Sequence, residues 1–390
     1  MRRVRLKEIG TFYSGLSGKS KSDFSEGNAL LVTYRNIFNN PVLNPAIKDT
    51  VVVGKDEKQN EVLWGDILIT GSSETPADAG MSSVVLFNPQ EKMYLNSFCF
   101  GFRLNDMNEA LPSYIGHLLR STSIRAAISK TAFGVTRFNV NRMRFADIEI
   151  PLPPLNIQKE IVSILDSFTS LIDKMKQEVE MRKKQMEYYR EKLMAPQKNW
   201  EIKTLGEIGT FTRGNGLQKS DFRVKGFPCV HYGQIHTYYN TCIYKTKSFC
   251  EEDLAKKLQK ASYGDLLIAT TSEDVKACCK AAVWFGAGDV AYSGDSFCYS
   301  HDQDPKYMAY LFQTEMFAKQ KQKAATGAKV IRVSGESMAS FSFAFPPLVQ
   351  QRQIASILDT FETYISKLEK MIELRQKQYE YYREKLQTFE

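Results

Sequence analysis

The chain is poor in the residues on which self-contained chemistry usually rests. It holds four histidines in 390 residues, and no paired carboxylate or nucleophile constellation accompanies them. Seven cysteines, an odd number without a CxxC spacing, argue against a disulfide framework. Cys229, His231, His236 and Cys242 lie close in sequence, but their spacing fits no familiar zinc site, and ordinary strand and loop roles are expected. No apolar run approaches the roughly 18 residues of a membrane span. Arg2, Arg3 and Arg5 lead into Lys7 and Glu8 without an apolar segment, so no signal peptide and a cytoplasmic location are expected. Ser17-Gly18-Lys19-Ser20 looks like the end of a phosphate loop, but Tyr13 stands where its first glycine is required. Phe285-Gly286-Ala287-Gly288 is not the FxGxG of a methyl-donor site. Asn44-Pro45-Ala46 lacks the second proline and aromatic of an amino-methyltransferase loop, and Glu201-Ile202-Lys203 lacks the upstream aspartate of a nuclease core. These absences point to a binder and organiser, with no catalytic residue, metal or cofactor of its own.

What is present is a repeat. Pro154 to Leu193 recurs 193 positions later as Pro347 to Leu386, with 22 of 40 aligned residues identical. Each copy carries a heptad seam. In the first it is Ile161, Leu165, Phe168, Ile172, Met175, Val179, Arg182, Met186, Tyr189 and Leu193. In the second it is Ile354, Leu358, Phe361, Ile365, Leu368, Ile372, Arg375, Tyr379, Tyr382 and Leu386. Pro151, Pro153 and Pro154 precede the first helix, Pro346 and Pro347 the second, and Pro196 closes the first. A parallel in-register pair would press Arg182 against Arg375. An antiparallel pair sets Arg182 near Ile365 and Arg375 near Ile172, where each stem can snorkel outward. The antiparallel pair is therefore expected, and with it a pseudo-twofold arrangement.

The repeat divides the chain into residues 1–150, a helix over 151–194, residues 195–345 and a second helix over 346–390. The globular segments are diverged copies of one another. Lys21-Ser22-Asp23-Phe24 answers Lys219-Ser220-Asp221-Phe222, and Trp64-Gly65-Asp66-Ile67 answers Tyr263-Gly264-Asp265-Leu266, a glycine turn before a buried strand. Cys99 and Cys298, in SFCF and SFCY, are expected as strand core. One helix is expected over Ser113–Lys130 and its counterpart over Tyr307–Lys323, with Tyr114, Leu118 and Ile124, and Tyr307, Leu311 and Phe317, facing the core. The fold class is mixed α/β (α+β), with two globular domains separated by two long antiparallel coiled-coil helices.

The net charge of +8, with both signs mixed, favours a polyanionic partner. The copies share a framework and differ in loop chemistry, as one scaffold presenting two reading surfaces would. Candidate DNA-contacting residues fall into matched sets. Arg35 and Asn36 answer Gln234 and His236. Ser72, Ser73 and Glu74 answer Thr271, Ser272 and Glu273. Thr136, Arg137 and Asn139, in the glycine loop from Gly134, answer Lys329 and Arg332 in the loop from Gly327. Arginine suits guanine O6/N7, and asparagine or glutamine suits adenine N6/N7. Lys19, Lys21, Arg213, Lys219 and Lys276 are candidate phosphate contacts. A coiled-coil scaffold for protein assembly is the competing reading; it predicts binding that salt does not weaken.

The twice-repeated PLPPL-x-x-Q-x-x-I-x-x-x-LD, at Pro151 to Asp166 and, as FPPLVQQRQIASILD, at Phe345 to Asp359, together with the Tyr-Tyr-Arg-Glu-Lys-Leu helix ends, resembles the specificity subunit of type I restriction-modification systems over the whole chain. The resemblance implies two target-recognition domains, each reading half of an asymmetric bipartite site in double-stranded DNA. It implies helices that act as ruler and dock for two methyltransferase subunits, with an ATP-dependent restriction subunit as an optional further partner. S-adenosylmethionine and ATP would then sit on those partners and not on this chain. Gln158, Gln351, Tyr188 and Tyr381 are the expected docking residues.

Overall fold

The structure is a computed structural model that describes residues 2–388. The chain forms two compact units, one of Met1–Gln177 with Lys370–Glu390 and one of Glu178–Glu369. The two long helices, Leu155–Leu193 and Leu348–Thr388, each contribute to both units. At about 1.5 Å per residue the first is about 58 Å long.

In the first unit, Gly10–Ser14, Cys99–Leu104, Ile67–Thr70 and Ser82–Val84 form an antiparallel sheet in that order. A second sheet orders Thr50–Val51, Ala29–Val32 and Met93–Leu95, the last pair parallel. The N-terminal strand Arg2–Arg5 closes the domain by pairing with Glu149–Leu152, immediately before the first long helix. The second unit repeats this plan. A five-stranded sheet runs Gly209–Arg213, Ser296–His301, Leu266–Ala269, Lys280–Trp284, Cys242–Ile243, and Glu201–Thr204 closes on Ser342–Phe345. The glycine turns behave as their sequence requires: Gly65 and Gly264 take φ of 87° and 95° ahead of strands that are wholly buried. Cys99 and Cys298 are buried in their strands.

The expected single helix in each domain is two. Pro112–Leu119 and Thr122–Ser129 replace the first, and Pro305–Leu311 and Glu315–Ala324 the second. The break falls at Ser121 and Thr314, both extended in backbone. Each hydroxyl donates to the carbonyl three residues back, Leu118 and Leu311, at 2.7 Å. Thr314 also accepts from the Phe317 N–H. A short hydroxyl side chain that offers the backbone an alternative partner ends one helix and starts the next. The core stripe survives the break, since Tyr114, Leu118, Ile124, Tyr307, Leu311 and Phe317 are all buried.

The long helices pair antiparallel in each unit. In the first, Phe168 stacks on Tyr382 with ring centroids 5.5 Å apart, and Ile161 and Leu165 join a core that Tyr379 and Leu386 cover. In the second, Tyr189 stacks on Phe361 at the same distance, Arg182 lies over the Tyr364 ring at 5.5 Å, and Lys183 bridges Glu369 at 2.9 Å. Numbers rise on one helix as they fall on the other. Arg182 turns outward to Glu178 and Gln185, and Arg375 to Gln378, so neither guanidinium is trapped in the seam. The seam is buried or half-buried throughout except at Tyr382, which is exposed while keeping its stack.

Residues repeated between the helices hold the domains. Gln158 lies buried and accepts from the Leu111 N–H while donating to the Glu109 and Pro153 carbonyls. Its counterpart Gln351 is equally buried and accepts from the Asp304 N–H while donating to Pro346. Neither glutamine is available to a partner, which corrects the expectation of a docking role; Tyr188 and Tyr381 remain exposed. Asp166 meets His117 Nε2 at 2.7 Å, and Asp359 accepts from the Tyr310 hydroxyl at 2.8 Å. From the opposite helix end comes a carboxylate cap. Glu384 accepts from the Thr122 and Ser123 N–H groups and Glu191 from the Glu315 N–H, each at the first turn of a domain helix. Each domain is thus gripped by the start of one long helix and the end of the other. Glu384→Ala is expected to cost about 1 kcal/mol at this cap. Hydrogen exchange of the Thr122 and Ser123 amides would speed up about fivefold, with the Glu315 amide unaffected.

Candidate nucleic-acid interface

Three elements bring the candidate readers together in the first unit. They are the short helix Tyr34–Asn39, the strand Ser72–Ser73, and the hairpin Ala132–Phe133 with Phe138–Val140. The hairpin joins the strand through Asn139 opposite Ser72 and Phe138 opposite Ser73. Gly134, at φ 134°, turns the hairpin so tightly that a Cβ there would fall 2.0 Å from the Arg137 carbonyl oxygen. A cleft of about 690 Å³ opens between these elements, lined by Tyr34, Phe38, Ser73, Phe98, Thr136 and Arg137 among others. Arg137 donates from Nε to Ser72 Oγ at 3.0 Å and lies 5.0 Å over the Phe98 ring, which aims the rest of its fork at the opening. Val135, 90% exposed, is at the hairpin tip.

The second unit repeats the arrangement with other chemistry. Tyr232–Thr237 is the short helix, and Thr271–Ser272 pairs with Ile331–Arg332, with Thr271 opposite Arg332. His236 Nε2 lies 3.0 Å from the Thr271 carbonyl. A carbonyl can only accept, so the neutral ring carries its proton on Nε2 and presents Nδ1 as an acceptor. Burial keeps this imidazole below the usual histidine range, which favours that neutral form. Lys329 and Arg332 are exposed in the hairpin, whereas Thr271 is largely buried and donates toward Asp295.

Two expected readers have their amides engaged by neighbouring groups of the fold. Asn36 donates to the Asn44 carbonyl and accepts from the Asn44 N–H and the Asn40 amide. Gln234 accepts from the His231 N–H and donates to Ser248 Oγ. Both stand third in a short helix; Gln234 folds back on the N-cap backbone there, whereas Asn36 reaches forward to Asn40 and Asn44. Arg35, on the same helix, faces a separate hollow with Asn44 and Lys48.

Among the expected phosphate contacts Lys19 is committed as well. Its ammonium meets Glu57 at 2.5 Å with 8% of the side chain exposed, and this bond with the Gly54 N–H and Gln59 amide pushes the Glu57 carboxyl down to about 2. Lys21 and Lys219 stay exposed in matching 3-10 turns. Arg213 donates to the Gly294 carbonyl and lines a hollow that reaches His231 and Tyr232, at the start of the short helix. Lys276 is exposed on the loop after Ser272. The sequence reading passed over Phe98, Tyr34 and Phe38. Phe98 belongs to the SFCF segment taken for core, yet it lies in the turn before the strand and is 58% exposed beside the buried Cys99.

The helices carry a second, exposed apolar face. In the first unit it is Ile164 and Leu171 with Met371, Leu374 and Tyr381; in the second, Met181 and Tyr188 with Ile357 and Tyr364. The positions match between repeats, 164 with 357, 171 with 364, 181 with 374 and 188 with 381. Repeated exposed apolar side chains of this kind mark an interaction surface. Among the described residues, no cluster of three or more His, Cys, Asp or Glu could hold a metal ion, and no helix is long and apolar enough to cross a membrane.

Comparison with known proteins agrees with this arrangement. A type I restriction-enzyme specificity subunit named S.HindORF215P, from Haemophilus influenzae, is 30% identical over 272 residues, covering 66% of this chain and 68% of that protein. The EcoR124I/EcoR124II specificity subunit of Escherichia coli is 28% identical over 254 residues, covering 62% and 63%. The chain thus spans about two thirds of the length of these relatives. Among solved structures, the S subunit of the type I restriction-modification system from M. genitalium matches 99% of this chain and 96% of its own, with a TM-score of 0.55 at 14% identity. A chain from the assembly and conformational transition of a type I R-M system covers 99% and 97%, with a TM-score of 0.61, also at 14% identity. These two show the fold. The model of the type I restriction modification DNA specificity domain matches residues 1–181 and again 197–376, and the chain belongs to that family.

Proposed function

We propose that this chain is the DNA-specificity subunit of a type I restriction-modification complex, in which each unit reads one half of an asymmetric bipartite site. The observation that carries the reading is the pair of matched surfaces. The same helix, strand and hairpin converge in both units, bearing Ser73, Thr136, Arg137 and Asn139 in one and His236, Ser272, Lys329 and Arg332 in the other. One scaffold with two polar sets suits two different half-sites. Exposed Lys21, Arg213, Lys219 and Lys276 serve as phosphate contacts, each lowering affinity with salt by a slope of about 0.9 per contact.

The paired helices act as spacer. Their second apolar face, ending in Tyr188 and Tyr381, is the surface on which two methyltransferase subunits dock. S-adenosylmethionine chemistry, and ATP-driven restriction where such a subunit joins, belongs to those partners, and the complex works in the cytoplasm. A protein-assembly scaffold without DNA is not favoured by the family. The test is to map adenine methylation across the genome of the source cell with and without this gene. Loss of one split, asymmetric motif is expected. An unchanged pattern, with the partner genes expressed, would overturn the proposal.

A further inference from the structure

Behind each reading surface lies a cation bonded to backbone carbonyls and to no carboxylate, half-buried Arg125 in one unit and buried Lys321 in the other. Arg125 donates from Nη1 to the Gly80 carbonyl at 2.7 Å, and from Nη2 to the carbonyls of Ala77 and Ala79 at 2.6 Å each. Lys321 donates from Nζ to the carbonyls of Lys276 and Cys278, both at 2.8 Å. Counted from the paired strands Ser72–Ser73 and Thr271–Ser272, Ala77 corresponds to Lys276, Ala79 to Cys278 and Gly80 to Cys279. Two of the carbonyls that Arg125 grips are therefore gripped by Lys321 at the corresponding places of the other loop. Both loops end in a left-handed residue, Gly80 at φ 68° and Cys279 at φ 62°, the latter the one non-glycine with positive φ among the described residues.

The cations do not come from corresponding positions. Measured from Ser121 and Thr314, Arg125 corresponds to Ala318, and Lys321 corresponds to Ile128, about one turn further along. The short helix is tethered in the same manner. Arg120 reaches the Ile37 and Phe38 carbonyls in one unit, and Lys280 the His236 and Tyr239 carbonyls in the other. Burial pushes all four cations below their ordinary ranges, so each is kept at a cost in desolvation. A cost borne twice, by different residues at one set of carbonyls, marks a requirement of the loop and not an accident of descent.

We infer that Arg125 and Lys321 are positioning residues for DNA specificity, each fixing the loop after one reading strand and so governing discrimination in one half-site alone. This rests on the reading of the chain as a two-domain specificity subunit. A loop anchored at three carbonyls in the first unit, or at two in the second, holds Ser73 or Ser272 at a fixed distance from the hairpin; released, it still carries its polar groups to DNA but no longer in one register. Arg125→Met and Lys321→Met in the full chain, assembled with its methyltransferase partners, would be assayed on the mapped motif and on single-base variants of each half.

Arg125→Met is expected to lose about tenfold of its discrimination in the half read by the first domain, and less than about twofold in the other. Lys321→Met should do the reverse. Hydrogen exchange over residues 72–80 or 271–279 should rise in step. Arg125→Lys, which can still reach two carbonyls as Lys321 does, should retain most of the discrimination, and it serves as the test if the methionine variant does not fold. Equal weakening on all sequences, effects in both halves, or unchanged discrimination despite faster exchange would each overturn the inference. A wild-type complex with no bipartite motif would instead remove the reading beneath it.

Discussion

Exchanging residues 1–152 for the corresponding segment of another family member changes one half of the methylated motif and leaves the other half and the gap between them as they were. The junction matters. Arg2–Arg5 pairs with Glu149–Leu152, so a cut at residue 150 would leave the closing strand half native and half foreign, while a cut after Leu152 carries the whole pair. The new segment must also meet the helix surfaces that stay behind, offering an N–H to Gln158 and a helix start to Glu384. With those contacts kept, each altered base pair in the first half-site should cost about 1–3 kcal/mol of affinity for the old motif. The second half-site should be discriminated as before. The readout is the methylation motif of cells carrying the exchange, and a change in both halves would refute independent reading.

Placing aspartate at Ile172 and Ile365 together is expected to disrupt the helix pair in both units. Ile172 is 5% exposed in the first and Ile365 7% in the second. Each change removes a packed side chain and puts a carboxylate into the buried seam, while the guanidinium groups that the antiparallel pairing brings near, Arg375 and Arg182, are already turned outward to Gln378 and to Glu178 and Gln185, a cost on the order of 4 kcal/mol per site. The domain cores lie largely apart from these positions, so domain secondary structure should persist while assembly with the methyltransferase subunits and methylation of the bipartite motif are lost. Light scattering of the purified mixture and methylation mapping report the two losses separately. A fully assembled, active double variant would show that the seam does not hold the complex together.

Much of the architecture was legible because it is one-dimensional. A heptad seam of ten positions, repeated 193 residues on, fixes helix, face and register without knowledge of anything distant. The single polar seam position, Arg182 with Arg375, was enough to choose the antiparallel pairing that places Arg182 over Tyr364. The glycine turns at Gly65 and Gly264 and the buried cysteines of SFCF and SFCY were visible for the same local reason.

What escaped the sequence depends on where a side chain's hydrogen bonds go. Asn36 and Gln234 have the right chemistry for adenine, but Asn36 is engaged by the loop at Asn44 and Gln234 caps the start of its own helix. Lys19 has the right charge for phosphate, but Glu57, 38 residues away in sequence, already holds it. Ser121 and Thr314 split a stripe that looked continuous, because a hydroxyl can cap as well as continue a helix. Gln158 and Gln351 were expected outside and lie inside, where an amide saturates a loop that meets a helix start. Arg125 and Lys321 had no signature at all, since their partners are backbone carbonyls, which every residue owns.

The crossed grip on each domain also bears on how such a chain could arise. Gln158 and Asp166 hold the first domain from the start of one helix while Glu384 holds it from the end of the other; Gln351, Asp359 and Glu191 do the same for the second. Every holding residue thus has its duplicate 193 positions away, serving the other domain. That is the bonding pattern of two identical chains exchanging helix ends, here written into a single polypeptide. A gene encoding only one domain and one helix would specify both sides of the exchange, and duplication followed by fusion would free the two reading surfaces to diverge while the residues that tie them to the helices were kept. Under the proposed function, an asymmetric DNA target would then be a late acquisition, laid over a framework suited to a palindrome reader.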